Sequence, residues 1–123
     1  MIVTDPIYLF VYGTLKRGER NHHLLAAQCF IQPARTEPRY RLFDCGPYPA
    51  LVEDSTGIAV EGEVWLVKAN AFSRLDRLED APRLYRLAPI ALCDFSDPVF
   101  AYFYQQDVSG FRDCGASWPL AGK

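Results

Sequence analysis

A strand-like run, Ile7-Tyr8-Leu9-Phe10-Val11, leads into Tyr12-Gly13-Thr14-Leu15, and the chain continues as Lys16-Arg17-Gly18. A strand that breaks at a glycine exposes backbone N–H groups that can form an anion-binding nest, and two adjacent cations favour a small, negatively charged ligand there. Much later in the chain, Glu79 ends a stretch in which Phe72, Leu75 and Leu78 fall on one helical stripe. At about 100° per residue, Glu79 projects between Phe72 and Leu75, which predicts a carboxyl on an apolar face. Desolvation and the negative end of a helix both disfavour its charged form, and a carboxyl so tuned suits general acid/base work. The alternative is that the helix stops one residue early and Glu79 turns to water or pairs with Arg83 or Arg86. Asp76, at the edge of the stripe, reads as a cap, an ion-pair partner or a solvated group rather than as half of a paired-carboxylate site with Glu79, because acids three residues apart are common on helix surfaces.

Other constellations carry less chemistry. Gly13 and Gly18 have P-loop separation, but Glu19-Arg20 stands where Lys and Ser/Thr must hold phosphate and magnesium, so nucleotide binding is not expected. His22 and His23 are adjacent, and neighbouring helical side chains diverge too far to share a metal. The four cysteines, Cys29, Cys45, Cys93 and Cys114, show no zinc-like spacing and read as reduced thiols of a cytoplasmic protein. No Ser or Cys sits in a nucleophile elbow, which argues against covalent hydrolysis. Tyr102 and Tyr104 share one face of a strand and line either a pocket or only the core.

These residues need a scaffold. Residues 7–12, apolar and unbroken, predict a strand buried on both faces and central in its sheet. Asn21 is placed as the cap of a short helix over residues 22–28, and Pro33 and Pro38 interrupt regularity after it. Extended segments are expected at 39–43, 50–52, 58–67, 85–93 and 99–105, with turn-rich loops at 44–49 and 94–98. In the 58–67 strand, Ile58, Val60, Gly62, Val64 and Leu66 read as one side, Glu61, Glu63 and Trp65 as the wetter one, and Gly62 as a bulge or close contact. Asn70 is expected to cap a helix over residues 71–79. A loop-rich, loosely held tail is expected from about residue 106.

The 123 residues, half of them hydrophobic, suffice for one domain with its own core, taken as residues 1–123. The element pattern predicts an α+β fold: a small mixed β-barrel with flanking short helices. A formal charge of −2 without a long basic run gives no global field for nucleic acid or a membrane surface, and no apolar stretch approaches the length of a bilayer span.

Tyr12-Gly13-Thr14-Leu15-Lys16-Arg17-Gly18, Asn21-His22 with Leu24-Leu25, Val60-Glu61-Gly62-Glu63-Val64, Leu75-Asp76-Arg77-Leu78-Glu79 and Leu84-Tyr85-Arg86 follow one another in this order. Together they resemble the gamma-glutamylcyclotransferase-like family, and most closely its gamma-glutamylaminecyclotransferase branch. The resemblance implies a cavity at the end of the first strand, with Tyr12, Gly13, Thr14 and Leu15 binding a gamma-glutamyl group, Glu79 as acid/base and Tyr85 beside them. It implies intramolecular attack of the substrate α-amine on its gamma-carbonyl, releasing 5-oxoproline and a free amine, with a small-molecule partner and no metal or cofactor. Thr14 stands where the glutathione-directed relatives have serine, which makes glutathione a poorer candidate. The competing class is a non-catalytic small-molecule-binding module on the same fold.

Overall fold

The computed structural model describes residues 5–119. Its strands are β1 (Ile7–Val11), β2 (Cys29–Arg35), β3 (Tyr40–Asp44), β4 (Pro49–Glu53), β5 (Glu61–Val67), β6 (Tyr85–Pro89), β7 (Val99–Tyr104) and β8 (Arg112–Asp113). One α-helix, α1 (Phe72–Leu78), and 3-10 turns at His22–Leu25 and Ala69–Ala71 complete the described elements. The fold is α+β, as expected from the sequence.

β1 lies in the middle of a five-stranded sheet ordered β2-β5-β1-β7-β6, antiparallel to β5 and parallel to β7. Its central place explains its unbroken apolar run, since both faces are covered. Phe10 and Tyr12 join one cluster, with Tyr40, Leu42, Leu51, Val64 and Phe103, while Leu9 and Val11 join another, with Trp65, Phe72, Leu75 and Tyr102. A second sheet, ordered β4-β3-β8, packs its β4 across β7. Hydrogen bonding does not close the two sheets into a continuous barrel. An isolated bridge, Thr36↔Leu92, instead joins the segments that follow β2 and β6, the outermost strands of the larger sheet, and another, Tyr40↔Ile58, joins β3 to the segment before β5.

Several elements differ from the sequence expectation, each for a physical reason. Pro33 does not end regularity but lies within β2, opposite Glu63, because an outermost strand can spare an N–H. The expected helix at 22–28 shrinks to one 3-10 turn, and Asn21 makes no capping bond. The side assignment on β5 also fails: Trp65 and Val67 are buried with Leu9 and Val11, so this strand, next to β1, is covered on both faces. Gly62 marks a close contact, since a Cβ there would stand 2.4 Å from the Val11 carbonyl oxygen.

Asn70 sits inside the 3-10 turn that precedes α1 and does not cap it. Phe72 and Leu75 are buried, but Leu78 is 38% exposed, so the inward stripe is narrower than its spacing implied. A helix of seven residues is marginal alone, and burying Phe72 and Leu75, about 1.5–3 kcal/mol each, is what holds it. The described part of the expected tail, residues 107–119, is docked rather than loose, while residues 120–123 lie outside the described residues. β8 pairs with β3, Cys114 and Trp118 are buried, and the Glu61 N–H donates to the Ala116 carbonyl at 2.7 Å.

Candidate active site

Several chain segments distant in sequence meet at the C-terminal end of β1. Residues 12–15 form one wall, Tyr48 and Pro49 at the start of β4 form a second, and Glu79, Tyr85 and Tyr102 form the third. The space between them is about 350 Å³ including its open mouth. Every residue singled out from the sequence as a site candidate lines it: Tyr12, Gly13, Thr14, Leu15, Glu79 and Tyr85.

The loop after β1 is built by local hydrogen bonds. The Lys16 N–H donates to the Gly13 carbonyl at 3.1 Å, and the Asn21 N–H to the Thr14 carbonyl at 2.9 Å. Asn21 Nδ2 donates to Thr14 Oγ1 at 3.0 Å, so Asn21 fixes the threonine rather than a helix end, and the Thr14 O–H keeps its proton to donate. Among the described residues, the N–H groups of Gly13, Thr14 and Leu15 take no protein acceptor, which leaves three donors in the loop.

Gly13 does not have a positive φ. Its lack of a Cβ serves packing, because one built there would lie 2.6 Å from Pro49 Cγ. The two cations after the loop do not serve the pocket. Lys16 Nζ donates to the Trp118 carbonyl, and Arg17 pairs with Glu63 at 3.1 Å while its guanidinium lies 3.9 Å from the Phe30 ring centre. The local attraction for anions therefore reduces to neutral N–H and O–H donors.

Glu79 is the C-cap of α1, with its N–H bonded to the Leu75 carbonyl at 2.9 Å and helical backbone angles. The geometry therefore continues through Glu79 and turns its carboxyl to the pocket. Neither arginine considered as its partner pairs with it, since Arg83 is bound to Asp80 and Arg86 lies exposed on β6. Burial, and secondarily the nearby Asp76, push its carboxyl from an ordinary 4.5 up to about 7.

The phenols around Glu79 are committed as donors to the protein. Tyr12 donates to the Tyr102 carbonyl, Tyr102 to Asp76 Oδ1 at 2.6 Å, and Tyr85 to the Pro49 carbonyl at 2.6 Å. Burial raises all three well above the ordinary phenol range, so they remain neutral and offer the pocket only acceptor lone pairs. Tyr85 thus holds the β4 wall in place and makes no hydrogen bond to Glu79. Burial, with Asp44, pushes the Cys45 thiol up to about 11, which suits it poorly as a nucleophile.

The Tyr102–Asp76 contact and the Pro49 wall escaped the sequence reading. The alternation of Tyr102 and Tyr104 was the available signal for the first, and only Tyr102 reaches the pocket. His22 Nδ1 lies 2.9 Å from the Leu15 carbonyl oxygen while His23 is exposed, so the two point apart. Among the described residues, no three His, Cys, Asp or Glu side chains gather as a metal site requires. No helix among them is long and apolar enough to cross a membrane.

The pocket therefore offers neutral donors at one end and one titratable carboxyl at the other, an arrangement suited to holding an anionic or carbonyl oxygen while moving a proton nearby. A Vibrio cholerae protein provisionally named a gamma-glutamylcyclotransferase is 46% identical over 78 residues, covering 63% of this chain and 66% of its own length. Gamma-glutamylaminecyclotransferase A of Danio rerio is 36% identical over 94 residues, covering 70% of this chain and 58% of its own. The chain thus spans between about half and two thirds of the length of such relatives. The crystal structure of an AIG2-like protein from Mus musculus superimposes with a TM-score of 0.80 at 26% identity, covering 94% of this chain and 89% of that one. The family described as gamma-glutamyl cyclotransferase, AIG2-like, matches residues 9–119, and the chain belongs to it.

Proposed function

We propose that this chain is a gamma-glutamylcyclotransferase-type enzyme that converts a gamma-glutamyl amine, or a closely related amide, into 5-oxoproline and a free amine. The observation that carries the reading is the position of Glu79: an unpaired carboxyl, tuned to about 7, facing the same small cavity as the Gly13, Thr14 and Leu15 N–H groups. A carboxyl so placed is costly for a site that only binds, whereas a proton shuttle requires it.

In the proposed mechanism the substrate's gamma-glutamyl end lies against residues 12–15, where the free N–H groups and the Thr14 hydroxyl hold its carboxylate or the developing oxyanion. The neutral α-amine attacks the gamma-carbonyl carbon, forming the ring C–N bond. Glu79 takes the proton that this nitrogen sheds. As the exocyclic C–N bond breaks, Glu79 returns the proton to the departing nitrogen, so the products are 5-oxoproline and a neutral amine. Because attack is intramolecular, holding the glutamyl chain curled between the Pro49 and Tyr85 walls supplies much of the acceleration.

The relatives named for gamma-glutamylamines, together with Thr14, favour an amine rather than glutathione as the source of the leaving group. None of the four cysteines is in a disulfide, which is consistent with a reducing, cytoplasmic setting. The test is 5-oxoproline release from a panel of gamma-glutamyl amines by the wild type and by Glu79→Gln. Turnover by the wild type with a loss of about 10²–10⁴-fold in the variant is expected. Equal rates would remove the proton shuttle, and binding without turnover on every substrate would leave a binding module.

A further inference from the structure

Of the residues that line the pocket, all are buried except Tyr48 and Glu79. The mouth therefore lies between these two side chains. In the proposed reaction Glu79 hands its proton to the departing nitrogen, so the rest of the leaving amine must extend from beside Glu79 past Tyr48 to reach solvent.

Beyond Tyr48 the surface is aromatic. The Tyr48 ring packs against the buried Tyr85 ring, with centres 6.2 Å apart. Tyr85 meets Tyr104, its cross-strand partner on β7, at 5.3 Å, and Tyr104 meets Phe111 at 6.4 Å. Tyr104 stands half-buried outside the pocket wall, and Phe111 is 37% exposed. The row thus runs from the rim of the pocket into open solvent. The other large hydrophobic side chain left exposed among the described residues is Leu78, which immediately precedes Glu79. A lone exposed apolar side chain is ordinary, but a contiguous aromatic run that starts at a pocket rim marks a surface built to be covered.

The geometry of the row also says what kind of group it suits. Successive rings stand at 68°, 67° and 66° to one another, so each turns an edge toward its neighbour. Such a row offers flat apolar sides, whereas an ammonium group is held best where several ring faces converge on one point. The carboxylates of the flanking loops are already engaged. Asp44 accepts from the Gly46 N–H and from Trp118, Asp107 accepts from Ser109, and Asp113 pairs with Arg41.

We propose that Tyr48, Tyr104 and Phe111 form the subsite for the leaving amine, and that this subsite selects amines carrying an aromatic or extended apolar group over small or cationic ones. The assignment rests on the cyclotransferase reading for the place of the scissile bond, while the preference itself is measurable as binding.

Three gamma-glutamyl amides that differ only in the amine test it: the N-ethyl, the N-(2-phenylethyl) and the N-(4-aminobutyl) compounds. For the wild type, kcat/KM is expected to be about tenfold higher for the phenylethyl compound than for either of the others. Phe111→Ala alters an exposed side chain and should reduce that ratio several-fold, and Tyr104→Leu should reduce it further. An unchanged ratio in either folded variant overturns the proposal, as does a wild type that favours the ethyl or the aminobutyl compound. Phe111→Ala decides alone if Tyr104→Leu does not fold. If none of the three is turned over, the enzyme reading fails, and calorimetric Kd values for the same compounds and variants decide the subsite by the same ratio. Equal Kd values, or no binding of any compound, would then overturn it.

Discussion

The two ends of the pocket are built in opposite ways. The loop of residues 12–15 is fixed by bonds between near neighbours and by Asn21, carries no charge into the cavity and offers several neutral donors. The C-terminal end of α1 presents one carboxyl with no hydrogen-bonded partner, and its proton affinity is set by packing against tyrosines from β1, β6 and β7 and by Asp76. One end is built for holding and the other for proton transfer. Neutral donors lose little when desolvated against a substrate oxygen, whereas a proton shuttle works only if its charged form is made costly.

Three measurements would break or sharpen that division. Of these three, the largest effect is expected from Gly13→Ala, because the new methyl group meets Pro49 and must push the loop away from the β4 wall. A loss of about 10²-fold in kcat/KM and about 1–3 kcal/mol of stability should follow, read by kinetics and by denaturant unfolding. Full activity in this variant would show that the loop's close seat against Pro49 is irrelevant to holding the substrate.

The second concerns the other end alone. Because the folded-state value of Glu79, about 7, lies above its ordinary 4.5, the fold favours the neutral form; that stabilisation is complete below pH 4.5 and lost as pH rises through 7. Glu79→Gln escapes this loss. The variant should therefore be more stable than the wild type above pH 7, by roughly 2 kcal/mol after discounting for water at the pocket mouth, with the difference closing toward pH 4.5. Unfolding curves at pH 5 and pH 8 measure it, and a difference independent of pH would mean that the carboxyl is not desolvated.

The smallest effect is expected at Tyr85, which belongs to the wall between the two ends. Tyr85→Phe removes the hydrogen bond to the Pro49 carbonyl, costing about 1 kcal/mol of stability. It should raise KM by a few-fold with kcat nearly unchanged. A collapse of kcat would instead move the Tyr85 hydroxyl from support into the chemistry.

Much of this was legible in the residues themselves, because it depends on neighbours in the chain. The apolar run of β1 announced a central strand, the break at Tyr12-Gly13-Thr14-Leu15 announced a turn with free donors, and helical spacing set Glu79 beside Phe72 and Leu75. Where local signals misled, a distant partner had overruled them. Pro33 reads as a breaker until β2 proves to be an edge, and Asn21 reads as a cap until Thr14 is found within its reach. The tail reads as loose until Trp118 is seen buried, accepting from Lys16 and donating to Asp44 at 3.3 Å.

The sequence by itself determined the candidate residues, the α+β class and the family resemblance, because spacing along a helix or strand dictates which side chains share a face. Only the tertiary structure decided that Gly13 is small for Pro49's sake, that Lys16 and Arg17 point away from the ligand, and that Glu79 faces a cavity with Asp76 and Tyr102 at its side. Contacts such as Tyr102 with Asp76, Arg17 with Glu63 and Lys16 with Trp118 join residues 26, 46 and 102 positions apart, and the free energy of a charge depends on everything packed around it, which no local pattern encodes.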